Sequence, residues 1–382
     1  MFDRRAVLAA LLSLTALPAP AAEDGPKERS KVEPVTLPFA VKAMRGPGSD
    51  VALSVATSGL LPVARAPATA DPKAAAGTAV PPVVVVWGEG GGAVLSLDGD
   101  RLRTTLVGAE AIEGFAAAET PRGAVPGSRR ALDGPLSAYL TGPTRALGGA
   151  PGQGAVLTLR ERQPLGVTAE PKAVPVTTQT LAPGDDRVFA GRTPRITRLD
   201  GRPAVVAVTA QGAAGSGLAL AAKGKDGTWT LAAQTPPQAG NGNEAAPLAL
   251  AAIADFAGTG QPQVAAIRAP DGEGVLQLWR FADGAFSLAG EGPGYAGPAA
   301  GEEADLAAPV PRGGNPPDLA LPVAGRSALA LVSLKGGSPA ERARIPLPAP
   351  AAHGVAVLDA GGTAKTILVG LADGRLVAVP AP

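Results

Sequence analysis

Six charged or titratable residues stand at or near the ends of short apolar runs, where their side chains could meet a ligand. A guanidinium group binds carboxylates, a carboxylate accepts hydrogen bonds or holds a cation, and an imidazole can exchange a proton near neutral pH. The candidate residues are Arg195, Arg198, Asp255, Asp305, His353 and Asp359. Such a mixed set could cradle a small polar ligand, or it could consist of charges that simply face solvent at strand ends.

The counts of reactive residues exclude most catalytic chemistry. Cys is absent, which removes thiolate metal sites, disulfides and Cys nucleophiles. His353 is the single His, and no Gly-x-Ser-x-Gly sequence offers it a nucleophile. We therefore predict no catalytic residue, no metal and no cofactor, and we expect the acidic pairs Asp185-Asp186 and Glu302-Glu303 to be solvated loop acids.

The charge balance argues against a nucleic-acid partner. Lys and Arg number 34, Asp and Glu number 33, and aromatic residues make up 3% of the chain. Neither sign of charge is concentrated in one block. Nucleic-acid binding needs a basic face with stacking platforms, so this class of partner is not expected.

The composition favours a chain of short strands and turns. There are 51 Gly and 40 Pro, about twice the usual share, and these are the poorest residues for a helix interior. Hydrophobic residues make up 46% of the chain, which argues against disorder. We therefore predict an all-β protein.

Prolines and glycine-containing turns recur along the sequence and mark a repeat. An apolar run follows Pro82, Pro135, Pro203, Pro262 and Pro317, and a sixth copy without Pro begins at Lys365. Each copy is followed by a second short apolar run, and Asp-Gly or Gly-Gly turns often come next. Four short strands in each of six units predict a six-bladed β-propeller, with seven blades as the alternative.

The segment 32–37 is predicted to close this ring. The sixth unit has three strands before Pro382, and Val32-Glu33-Pro34-Val35-Thr36-Leu37 is a spare strand. A blade cannot bury both of its faces alone, so neighbouring blades must stack. We expect the spare strand to pair into the last blade.

The stretch Ile253-Ala254-Asp255-Phe256-Ala257-Gly258-Thr259-Gly260-Gln261-Pro262-Gln263-Val264-Ala265 resembles the FG-GAP/VCBS repeat of integrin-α-type propellers. Residues 199–206 and 313–320 resemble weaker copies of the same repeat. The resemblance implies a propeller fold and a Ca²⁺ site in the turn. Asp255 matches the first ligand position, but Ala257, Thr259 and Gln263 replace the others, so we expect the turn to be kept and the ion to be lost.

The N-terminus predicts export. Residues 1–21 have the parts of a signal peptide: Arg4-Arg5, an apolar run and the box Ala19-Pro20-Ala21. The two arginines fit a twin-arginine signal, and a general secretory signal is the alternative. We expect a linker at 22–31 and one propeller domain over 32–382, with a flexible insertion near 60–80 and no membrane span in the mature protein.

Taken together, these features favour a periplasmic or secreted, monomeric and non-catalytic propeller. Its expected role is a binding or scaffolding module for an envelope protein or a small polymer. The alternative is a hydrolase or lyase that acts on a carbohydrate at the mouth of the channel.

Overall fold

A computed structural model describes residues 32–61, 81–147, 152–164, 173–239, 246–361 and 365–381. The predicted signal peptide 1–21, the linker 22–31 and residues 62–80 of the predicted insertion lie outside the described residues. Within them the chain is all-β apart from two short α-helices and one 3-10 turn, which confirms the all-β part of the predicted fold class.

The strands follow one another in antiparallel meanders of four. Meander 1 contains β2 (Ala43–Arg45), β3 (Val84–Gly88), β4 (Gly91–Asp98) and β5 (Arg101–Val107). Meander 2 contains β6 (Ala131–Asp133), β7 (Leu136–Pro143), β8 (Gly154–Arg162) and β9 (Val176–Leu181). Meander 3 contains β10 (Val188–Leu199), β11 (Arg202–Ala210), β12 (Ser216–Lys223) and β13 (Trp229–Gln234).

The second half of the chain repeats the pattern. Meander 4 contains β14 (Leu248–Ala254), β15 (Gln263–Arg268), β16 (Gly274–Ala282) and β17 (Ala285–Tyr295). Meander 5 contains β18 (Ala308–Arg312), β19 (Asn315–Pro322), β20 (Ala328–Ser333) and β21 (Ala340–Pro346). Meander 6 contains β22 (Ala351–Asp359), β23 (Lys365–Leu371), β24 (Leu376–Pro380) and β1 (Glu33–Val35).

The N-terminal strand belongs to the last meander, as the sequence predicts. β1 pairs antiparallel with β24, and Glu33, Pro34 and Val35 lie opposite Ala378, Val377 and Leu376. Meanders 2 and 3 are also joined, through the single residue pair Phe189–Gly154. The remaining meanders are separate four-stranded sheets.

Glycine supplies the tight turns that join these strands. The turn between β16 and β17 has Asp283 at φ 52° and Gly284 at φ 77°. Both residues of this turn need positive φ, which Asp tolerates and Gly adopts at no steric cost. Asp200 and Gly201, between β10 and β11, repeat this turn with φ 50° and 75°.

Hydrophobic clusters connect consecutive meanders. One cluster joins meanders 2 and 3, and others join 3 and 4, 4 and 5, 5 and 6, and 6 and 1. Each cluster draws side chains from facing strands, for example Phe189 with Leu157 between meanders 2 and 3. The protein core is therefore divided into layers that lie between sheets.

Two helices pack against meander 1. Helix α1 (Asp50–Thr57) and helix α2 (Ala109–Ala118) contact each other and cover Val85, Trp87 and Val94 through Val51, Val55 and Ile112. Ser49 caps α1 by accepting a hydrogen bond from the N–H of Ala52. Neither helix is long and apolar enough to cross a bilayer.

Candidate functional site

Asp305 lies at the centre of a charged cluster contributed by three meanders. Its carboxylate accepts hydrogen bonds from the guanidinium of Arg129, with Nη1–Oδ2 and Nη2–Oδ1 distances of 3.0 Å. Arg195 Nη2 donates to the same Oδ1 at 2.6 Å. Arg129 precedes β6, Arg195 lies on β10 and Asp305 precedes β18, so the fold brings together residues that are far apart in the sequence.

The two guanidinium groups determine the charge state of Asp305. Burial would raise the pKa of this carboxyl, but the nearby Arg129 and Arg195 outweigh burial and hold its pKa far below the usual range. Burial would likewise lower the pKa of Arg129, and Asp305 raises it on balance. The pair therefore stays ionised at any physiological pH and has no proton to exchange.

A second buried pair adjoins the first. Arg45 Nε donates to Glu119 Oε2 at 2.8 Å, and both side chains are at most 5% exposed. The Arg45 guanidinium also lies 5.3 Å from the ring centroid of Trp87, within cation–π range. Arg130 forms a further ion pair with Asp50, the first residue of α1. These contacts anchor the helices and the segment 119–130 to the charged cluster.

The segment 298–305 carries three acids that each meet arginine. Glu302 accepts two hydrogen bonds from Arg326, at 3.0 and 2.7 Å, and Glu303 lies 4.0 Å from Arg45 Nη2. Arg326 also donates to the carbonyl of Gly297 at 2.6 Å. Glu302 and Glu303 lie in the loop before β18, and their side chains are 39% and 57% exposed, so they are solvated loop acids as expected, with added contacts to arginines of meanders 5 and 1.

Three cavities meet at Arg129. The first has a volume of about 390 Å³ and is lined mainly by apolar side chains, together with Arg129, Arg195 and residues 298–305. The second, about 420 Å³, lies beside the start of α1 and shares Asp305 with the first. The third, about 480 Å³, is lined by Trp87, Glu119 and His353 among others. Arg129 lines all three cavities.

A bulge in β10 shapes the wall of the first cavity. Ala190 pairs with Val208 and Arg195 pairs with Val206, so four residues of β10 oppose Ala207 alone. Gly191 has φ 80°, which turns the strand away from β11, and Pro194 stands inside the bulge, where no ladder N–H is needed. The bulge presents Thr193 and Arg195 to the cavity.

The predicted site residues fall into two groups. Arg195 and Asp305 are in contact, and His353 lines the cavity that also contains Glu302. Arg198 instead pairs with Asp133 at 2.7 Å, and the Arg198 side chain is 57% exposed. The carboxylate of Asp359 accepts a hydrogen bond from the N–H of Gly361 at 2.8 Å, in the turn after β22.

Asp255 organises the turn between β14 and β15. Its two carboxylate oxygens accept hydrogen bonds from the N–H groups of Thr259 at 2.9 Å and Gly260 at 2.7 Å. Gln263 Oε1 accepts from the N–H of Ala257 within the same turn. Among the described residues, no three His, Asp or Glu side chains are grouped so that they could hold a metal ion.

His353 lies in a bulge near the start of β22, between the pairs Ala351–Leu371 and Gly354–Gly370. Burial lowers its pKa, against the opposing influence of the Lys42 backbone and of Asp373 and Glu302. The imidazole is therefore neutral at pH 7.

The residues that complete the site lie outside the predicted set. Arg45, Glu119 and Arg129 are among the few buried charged side chains, at 4%, 2% and 7% exposed. Glu119 and Arg129 lie in the connection between α2 and β6, which matches no part of the repeat. The adjacent arginines Arg129 and Arg130 are the one feature of its sequence that could have pointed to this site.

Comparison with known proteins gives limited information about this chain. No family model and no curated protein matches it. Solved structures that resemble it include a mutant of AofleA from Arthrobotrys oligospora, with 12% identity, 79% of each chain covered and a TM-score of 0.38. Another is a complex of S. cerevisiae Dbp5 with Nup159, Gle1, IP6 and ADP, with 13% identity, 78% of this chain and 73% of that chain covered and a TM-score of 0.36. The N-terminal domain of Nup159 has 14% identity, 78% and 72% coverage and a TM-score of 0.34.

Proposed function

We propose that the six meanders are the blades of one six-bladed β-propeller, and that the chain is an exported, non-catalytic binding or scaffolding module. Five shared hydrophobic clusters and the β1–β24 pairing support the ring. The stretch 253–265, which resembles the FG-GAP/VCBS repeat, occupies the hairpin between the first two strands of blade four in this arrangement.

The pairing of charges near the ring axis carries the proposal of binding rather than catalysis. Asp305, Glu119 and Glu302 each accept hydrogen bonds from arginine. A general acid or base must change its protonation state near the working pH, and the pKa of Asp305 lies far from that range. Ion pairs of this kind hold the side chains in fixed positions, and a partner can recognise the surface that they form.

The partner class is a protein or a small polymer of the cell envelope. The test uses purified residues 22–382 as bait in a periplasmic extract, followed by titration of the purified partner against the bait. We expect saturable binding by a monomeric bait, with no turnover of a panel of glycosides and polysaccharides. Turnover that is abolished by Glu302→Gln or His353→Gln would establish the carbohydrate-acting alternative instead.

The export part of the proposal has its own test. Arg4→Lys together with Arg5→Lys removes the twin-arginine pattern but keeps the positive charge. If export uses the twin-arginine route, the doubly substituted precursor stays in the cytoplasm. If the precursor is still processed and released to the periplasm, the segment is a general secretory signal. A precursor of the natural sequence that remains cytoplasmic contradicts export by either route.

A further inference from the structure

Strand β9 is the outer strand of meander 2, and its outer edge is free. Among the described residues, β9 pairs with β8 and with no other strand. In the same register, the N–H of Gln163 donates to the carbonyl of Pro175 at 2.9 Å, and such bonded pairs recur at every second residue of an antiparallel ladder. The backbone N–H groups that face away from β8 therefore belong to alternate residues of β9. They are those of Val176, Thr178 and Thr180.

β9 also lacks the features that protect most outer strands of this protein. Charged residues and Pro on an edge strand hinder pairing with another chain. Strands β1, β5, β17 and β21 each carry such residues, whereas β9 carries none. β13 is uncharged as well, but its largest side chain, Trp229, is buried. Of the five large hydrophobic side chains exposed in the described part of the chain, two lie here: Val176 at 40% and the preceding Val174 at 46%.

One face of meander 2 carries positive charge that no acid balances. Arg160 and Arg162 lie two residues apart on β8, so they share a face, and both are exposed. Neither forms an ion pair with another described residue. Glu161 points to the opposite face, where Lys223 Nζ donates to it at 2.6 Å. Asp133, the remaining acid in the strands of this meander, lies on that opposite face too.

A strand added to β9 would place alternate side chains on the face of the arginines. Thr178 lies opposite Arg160, and Val176 lies opposite Arg162. Side chains of an added strand opposite Thr178 and Val176 would lie on the same face, two strand spacings or roughly 10 Å from β8. Extended arginine and glutamate side chains together span this distance across the small Thr178 and Val176. Acidic residues at alternate positions of the added strand would therefore meet both arginines.

The same charges argue against a second copy of this chain at the edge. Pairing of β9 with β9 of another molecule around a two-fold axis would continue one sheet and keep the arginine faces on the same side. Four arginines would then share a face to which the described strands of meander 2 contribute no acid. Like charges weaken such pairing, and opposite charges strengthen it. An acidic partner therefore fits this edge better than a second copy does.

We infer that the outer edge of β9 binds an extended acidic segment of a protein partner as an added strand, with its carboxylates at Arg160 and Arg162. The inference rests on the proposed binding function and names the surface and the kind of partner. The two are tested separately, because an envelope protein that binds another surface would leave the proposed function intact.

The test titrates residues 22–382 into a fluorescently labelled peptide of eight residues in which Glu and Val alternate, and follows fluorescence anisotropy. A peptide with Lys in place of Glu is the control. We expect saturable binding of one Glu peptide per protein, and binding of the Lys peptide that is at least about tenfold weaker. Added NaCl should weaken binding of the Glu peptide, because salt screens exposed charges.

Thr178→Pro separates strand addition from simple attraction between charges. The N–H of Thr178 faces outward, so its loss leaves the ladder with β8 intact and should change the Tm by no more than about 3 °C. The same substitution removes a donor that the peptide needs and should abolish binding. Thr178→Ala keeps the N–H and should bind the Glu peptide like the natural protein.

A pair of double variants tests the charges. Arg160→Gln with Arg162→Gln keeps the strand edge and should weaken the Glu peptide at least about tenfold. Arg101→Gln with Arg103→Gln makes the same change on β5, the outer strand of meander 1, and should bind like the natural protein.

Several outcomes would overturn the inference. Without saturable binding of the Glu peptide there is no docking edge, even if an envelope partner binds in the extract experiment. Equal binding of the Glu and Lys peptides would remove the recognition of acidic residues. Natural affinity in a folded Thr178→Pro would remove strand addition. If Thr178→Pro does not fold, the double variants decide: equal affinities of the β8 and β5 variants would show that Arg160 and Arg162 do not form the site.

Discussion

Asp305 accepts hydrogen bonds from two guanidinium groups in a largely buried setting, so replacing it should be costly. In Asp305→Asn, Arg129 and Arg195 keep their charges and lose their counterion. Breaking a buried pair from one side costs about 3–5 kcal/mol. We expect the free energy of unfolding in urea to fall by that amount.

Asp318→Asn is the matched control for Asp305→Asn. Asp318 is also buried, at 3% exposed, but burial raises its pKa against the opposing charge of Arg312. Removal of its charge should therefore leave the free energy of unfolding at pH 7 unchanged or slightly higher. Equal losses in the two variants would contradict the central role of the Arg129–Asp305–Arg195 cluster.

The same carboxylate makes the fold sensitive to acid. The pKa of Asp305 is lower in the folded chain than the value of about 3.9 for an unfolded chain. Its stabilising contribution is therefore present above about pH 4 and is lost as the pH falls, at up to about 1.4 kcal/mol per pH unit. We expect the unfolding free energy between about pH 4 and 2 to fall more steeply for the natural protein than for Asp305→Asn. Parallel curves would contradict the assignment.

Residue chemistry alone could not separate the two candidate arginines of β10. Arg195 and Arg198 are three positions apart, and side chains alternate along a strand, so they lie on opposite faces. Arg195 meets Asp305, and Arg198 meets the partly buried Asp133. Arg129 could not be found in this way either, because its partner lies 176 residues away in sequence. Such long-range pairs depend on how meanders stack, which local patterns do not encode.

At the scale of elements, the sequence predicted the strands far better than the helices. Proline marks a strand boundary because it has no N–H to donate to a neighbouring strand. Asp-Gly marks a turn because the turn needs positive φ. Both are local properties of the sequence. Helices α1 and α2 are short; α1 contains two Val and two Ala, like the apolar runs of the strands, and α2 is rich in Ala. Tertiary packing on β3 and β4 decides their conformation.

Strand β1 makes a testable contribution to the last meander. Deletion of residues 22–38 removes β1, including the partly buried side chains of Val35 and Leu37. It also exposes the edge of β24. The lost burial is worth roughly 2–4 kcal/mol, which for a cooperative unit of this length corresponds to a fall in Tm of about 3–5 °C. Differential scanning calorimetry measures it. As the control, deletion of residues 22–31 keeps β1 and should leave the Tm unchanged. If the longer deletion also leaves the Tm unchanged, β1 does not stabilise the last meander.

At the scale of the whole molecule, the placement of the hydrophobic clusters predicts one cooperative unfolding unit. Every meander shares a cluster with the next from 2 through 6 and on to 1, and meander 1 has a further cluster with α1 and α2. An open array of repeats can unfold in stages, whereas shared clusters couple each unit to its neighbours. Destabilising one meander should therefore lower the stability of all of them.

Two substitutions in distant meanders test this coupling. Leu276→Ala in meander 4 and Leu368→Ala in meander 6 each remove a fully buried side chain, and each should cost about 2–5 kcal/mol. We expect both to shift the same single transition in urea, monitored by circular dichroism and by tryptophan fluorescence. Leu106→Ala, at a side chain that is 58% exposed, should change the free energy of unfolding by no more than about 0.5 kcal/mol. If either core variant produces a second transition, the meanders unfold independently and the shared clusters do not couple them.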